Sequence, residues 1–153
     1  MKNEPLYLAF LVYFNRDRDY FECHEVMEEL WLAQGSDPLY KGLLQVAVGL
    51  FHFRYGNVIG ARKMLHSAEE RLKSYPMDCL GIDLGKLRSE AALYAAKLEA
   101  YEHSPFTYYD LTIDIIDPEL REAVEQASAH ISPNIPQRQR PMRGSKHEQR
   151  QQG

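Results

Sequence analysis

The chain has 153 residues, 44% of them apolar and 26% charged, with a net charge of −4. That length suits one domain able to bury a core without covalent staples, and the composition is that of a globular protein. Cys23 and Cys79 form no CxxC pair and no metal-ligand cluster, so no disulfide scaffold is expected and a cytoplasmic location is.

Charge is unevenly spread. Residues 133–153 hold five basic residues and one acidic residue, about +4, which leaves about −8 on the body. An acidic body argues against a nucleic-acid-binding fold. Only the basic tail is suited to touching RNA or an acidic partner, and its simplest role is to solubilise the end of the chain.

The first apolar run, Leu6 to Phe14, is far too short to span a bilayer, which needs about 20 residues. It reads as a helix rather than a signal peptide, with Pro5 in its first turn. Asn15 to Arg18 reads as a polar turn. Asp19 caps a second helix, with Glu22 three residues on, as in a capping box. That helix reaches about Ala33 and stops at Gly35. A third helix starts at Asp37-Pro38 and runs to about Tyr55. Its nearly continuous apolar segment makes it the most buried. Gly56-Asn57 turns the chain into a fourth helix, Val58 to about Ser74, which Pro76 ends. A fifth covers Leu84 to about Tyr101. Ser104 to Ile116 is aromatic and β-branched but has no partner strand, so an extended arm over the helices is expected. Asp117-Pro118 opens a last short helix to about His130. The predicted architecture is an all-α, compact bundle of five to six helices. It has a helical domain over residues 1–131 and a disordered basic tail over 132–153.

The second helix carries the chemistry. At 100° per residue, Cys23, Val26, Met27 and Leu30 form its apolar face. His24, Glu28 and Trp31 make an adjoining stripe, and Glu22, Glu25 and Glu29 lie on the opposite, solvated side. Gln45 and His52 interrupt the apolar third helix. Facing helices would bring His24 and Glu28 to Gln45 and His52. Three readings of this cluster stay open. It is a hydrogen-bonded core network that fixes helix register. It is a divalent-metal site on His24, Glu28 and His52, although Glu28 stands where a metalloprotease HExxH would need histidine. Or it is an acid–base or small-ligand site with His24 or His52 as the titrating group.

The stretches FNRDRDYFECHEVMEELW and KGLLQVAVGLFHFRYGNVIGARKML resemble the family known as domain of unknown function 309. The resemblance rests on Phe21, Glu22, His24, Glu25, Glu28 and Trp31. Gly42, Gln45, His52, Gly56, Asn57, Gly60, Ala61 and Arg62 complete it, over about Phe14 to Leu72. It implies a helical bundle and no activity. A weaker similarity, to a single tetratricopeptide-like hairpin, rests on Gly49, Ala61, Leu65 and Ala68. No second copy follows, so it is not a repeat array.

The expected function is a non-catalytic interaction or assembly module with a buried His/Glu/Gln/Trp network. A protein partner or a second copy is its expected partner, and no membrane is involved. The alternative is a metal-dependent or acid–base enzyme, or a ligand binder, that uses His24, Glu28 and His52 as catalytic or metal-ligating groups. Glu25, Trp31, Gln45, Asn57 and Arg62 would support it, and a divalent metal is the cofactor in the metal form of that reading.

Overall fold

The computed structural model describes residues 4–134. Among these residues there are six α-helices and no strand. They are α1 Pro5–Val12, α2 Tyr20–Ala33, α3 Pro38–Arg54, α4 Val58–Leu72, α5 Leu84–Glu99 and α6 Pro118–Ser128. The all-α bundle expected from periodicity is therefore the fold. The tail expected from residue 132 lies, beyond Asn134, outside the described residues.

Each helix start has a local cause. Asp19 accepts the amide of Glu22 at 3.1 Å, Asp37 that of Leu39 at 2.9 Å, Asp83 that of Lys86 at 3.0 Å and Asp117 that of Glu119 at 2.9 Å. These side chains satisfy amides that the helix itself leaves unpaired. Pro5, Pro38 and Pro118 open their helices where no amide hydrogen is needed.

One stretch departs from expectation. Asn15 to Arg18 is not a simple turn. Winding continues from α1 through a π-helical segment, Tyr13–Asp17, and stops at Arg18 in a left-handed conformation with φ 55°. Asn15 is held within this segment by the arm. Its amide nitrogen donates to the Ile113 carbonyl at 2.8 Å, and its oxygen accepts the Ile113 amide at 2.9 Å. A contact from nearly a hundred residues away is invisible to local propensity.

From α1 to α5 consecutive helices pack on one another, and α6 returns against α1. α3 lies at the centre, with Leu43, Val46, Ala47 and Leu50 wholly buried. Glycines let α4 come close. A Cβ built on Gly49 would stand 2.7 Å from Cγ of Leu65, and one on Gly42 would stand 2.8 Å from a Leu72 methyl. The arm after α5 is extended and packs on aromatic rings. Tyr109 stacks on Tyr94 at 4.3 Å, and Phe106 meets Phe53 at 4.9 Å. A single bridge, Ile82 to Ile115, is its one strand-like pairing among the described residues.

Candidate functional site

α2 presents the polar stripe as its periodicity predicted. His24 Nε2 lies 3.1 Å from Glu28 Oε2, one turn apart on the same helix. Their side chains are 35% and 44% exposed, so the pair sits at the surface rather than in the core. Trp31 continues the stripe. Its indole Nε1 is shielded from solvent and has no hydrogen-bond partner. Lys41, from the first turns of α3, places its ammonium 4.7 Å above the Trp31 ring, a cation–π contact.

The convergence expected across α2 and α3 does not form through hydrogen bonds. Gln45 is buried, but its Oε1 accepts from Nε of Arg71 on α4 at 3.1 Å. His52 pairs with its local turn, its Nδ1 standing 3.4 Å from Nδ2 of Asn57. Among the described residues, no hydrogen bond joins His24 or Glu28 to Gln45 or His52. Three separate pairs replace one network, because α3 turns its Gln45 face toward α4. Partial burial holds the His52 imidazole below its ordinary range, since desolvation disfavours the charged ring.

Two further expectations change. Glu25, read as part of a solvated stripe, is only 2% exposed. Its Oε1 lies 3.8 Å from His24 Nδ1. A helical wheel separates faces but does not show what the rest of the chain lays over them. Among the described residues, no group of three or more His, Cys, Asp and Glu is arranged to hold a metal ion. The donor set His24, Glu28 and His52 is therefore not assembled.

Several motif residues build the α3–α4 hairpin. Gly56 takes φ +83°, a conformation that favours glycine. Asn57 caps α4 by accepting the Gly60 amide at 2.8 Å. A Cβ on Gly60 would meet that same Asn57 side chain at 2.5 Å. Arg62 lies elsewhere, in a groove between α4 and α5 that also contains Lys63, His66, Ala92 and Ala95.

Sequence reasoning missed a second polar centre. The Arg54 guanidinium, at the end of α3, lies between two rings, 4.4 Å from the Tyr20 centroid and 4.9 Å from that of Tyr108. It donates to the Arg18 carbonyl at 2.8 Å and to the Tyr108 hydroxyl at 3.1 Å. The Tyr108 hydroxyl also contacts that of Tyr20 and donates to Asp110 at 2.8 Å. Burial pushes the Tyr20 phenol up to about 12 and raises that of Tyr108 as well, so both stay protonated. A cation closing a nearly all-apolar helix was the one local hint.

Fold and motif together define a small helical module built on an α3–α4 hairpin, with a polar stripe on α2. Residues 7–64 match the family called Domain of unknown function (DUF309). The chain is 33% identical over 125 residues to the uncharacterized protein YpuF of Bacillus subtilis (strain 168), covering 76% of this chain and 68% of that one. It is 28% identical over 74 residues to an uncharacterized protein of Aquifex aeolicus (strain VF5), covering 46% of this chain and 22% of the relative. The chain belongs to the DUF309 family. No solved structure matches it.

Proposed function

We propose that this chain is a non-catalytic helical module that binds a protein partner, or a second copy of itself, through the C-terminal half of α2. The observation that carries this reading is an exposed Leu32 next to Trp31 at the end of α2. Leu32 is 60% exposed, and the Trp31 ring is half-buried beneath Lys41. An aromatic anchor beside an exposed aliphatic side chain, ringed by the charges of Lys41 and Glu28, is how interface hot spots are composed. The dispersal of His24, Gln45 and His52 into separate pairs speaks for recognition over chemistry.

No helix of the described chain is long and apolar enough to cross a membrane. Cys23 and Cys79 are both free thiols. These features favour a cytoplasmic setting, and the acidic body favours a protein partner over a nucleic acid.

A photo-crosslinking residue at Leu32, introduced in the native cell, tests the reading. The expected result is one dominant adduct of defined mass, either a homodimer or a single partner, that disappears when Trp31 is changed to Ala. Sedimentation of the pure protein over a wide concentration range separates the two cases. A strictly monomeric protein with no adduct from Leu32 would sink the proposal.

A second reading has one observation in its favour. The His24–Glu28 pair is close and reachable from solvent, as a general acid or base must be.

A further inference from the structure

The groove between α4 and α5 is separate from the α2 face. It encloses about 520 Å³, within the range of small-ligand sites. Its origin is a mismatch in side-chain size. Glu69 pairs with Arg88 at 3.6 Å, which sets the register of the two helices. Two turns away along each helix, Arg62 comes opposite Ala95. Ala92, Ala95 and Ala96 form one wall, so no long side chain from α5 fills the space.

The α4 wall carries Arg62, Lys63 and His66. Among the described residues, these three side chains make no hydrogen bond or ion pair. Of the two acids in the groove, Glu69 is already held by Arg88, and Glu99 lines the Arg62 end, one turn beyond Ala95, where it leaves Arg62 and Lys63 in excess. Arg62 is half-buried. Its guanidinium has no protein partner and stays open to solvent, where an arriving anion can reach it. Its planar fork matches a carboxylate or phosphate in two parallel bonds. Ile59, 60% exposed, sits one turn before Arg62 and Lys63 on the same side of α4. It extends the groove with an apolar edge.

We propose that this groove binds a small organic oxoanion, with the charged head on Arg62 and Lys63 and a short apolar body along the alanines and Ile59. The carboxylate and phosphate forms share this chemistry, and two probes distinguish them.

The test is an amide NMR titration of the full chain with hexanoate and with butyl phosphate at constant ionic strength. Acetate serves as the head group alone. At least one of the two amphiphilic anions is expected to saturate in the millimolar range, with shifts concentrated at residues 62–66 and 92–96. Acetate should bind at least tenfold more weakly. Arg62→Gln should weaken binding at least tenfold. Ala92→Leu, which fills the groove without touching a charge, should abolish it. Two outcomes overturn the proposal: neither anion saturates, or binding survives both substitutions. Both variant spectra should otherwise superimpose on the parent, since neither residue has a side-chain hydrogen bond to lose.

Discussion

The family's signature residues do different work at the scale of single side chains. Glu28 holds His24 at the surface, where water competes for both groups. Glu28→Gln should therefore change stability by no more than about 0.5 kcal/mol in urea unfolding. A loss of about 1–3 kcal/mol, the cost of stranding a buried polar group, would mean that the pair is sealed from solvent in solution. His52 makes the opposite kind of contribution. Its folded pKa lies below the ordinary 6.5 because burial disfavours the imidazolium. Above 6.5 the ring is neutral in both states, so it adds no pH dependence. As pH falls through 6.5, the unfolded chain takes up a proton that the folded chain resists. Stability then falls until the folded pKa is passed. His52→Gln, which keeps a hydrogen-bonding group near Asn57, should reduce the decline in stability below pH 6.5. An unchanged slope would show that His52 is as hydrated when folded as when unfolded.

The helices follow from caps and spacing because both act within a few residues. Asp19, Asp37 and Asp117 stand at helix starts that the sequence places, and Asn57 stands at the turn before α4; each side chain accepts an amide of the first turn. The α2 stripe was legible for the same reason: a 100° wheel is enough to place His24, Glu28 and Trp31 together. What that wheel could not supply is the partner across the gap. Gln45 faces Arg71, not His24, because α3 packs against both α2 and α4, and a sequence does not say which neighbour takes which face. The closeness of α3 and α4 is itself testable. Gly49→Ala gains about 1 kcal/mol of helix propensity. The added methyl, however, would stand 2.7 Å from Cγ of Leu65, a branch point fixed in the core. Overpacking of this kind costs about 1–3 kcal/mol. The net effect on thermal unfolding should be destabilisation. If the variant is instead more stable than the parent, the hairpin has room to part, and the glycine is not what sets its spacing.

At the scale of the whole molecule, the arm closes the structure. Residues 104–116 have no helix of their own, and they bind back to segments remote in sequence: Asn15 takes Ile113, Tyr94 takes Tyr109, and Arg54 takes Tyr108. Arg54 is the junction: from the end of α3 it reaches the Arg18 carbonyl just before α2 and Tyr108 of the arm. Arg18 reinforces it by donating to the Leu111 carbonyl and, at 3.1 Å, to the Thr112 hydroxyl. Replacing Arg54 with Met keeps the aliphatic stem but removes both hydrogen bonds and the charge between the two rings. The Arg18 carbonyl and the Tyr108 hydroxyl each lose a donor, so a cost of about 2–4 kcal/mol is expected. Arg54→Lys retains the charge over the tyrosines yet cannot reach two acceptors with a planar fork, so it should recover only part of that loss. Amide hydrogen exchange locates the damage. If Arg54 is a clamp, protection should fall first at Ile113 and Tyr109, whose amides bond Asn15 and Tyr94, while the centre of α3 keeps its protection until global unfolding. Uniform loss across α3 and the arm alike would mean that Arg54 supports the core as a whole, and that the arm is held by Tyr94 and Phe53 without it.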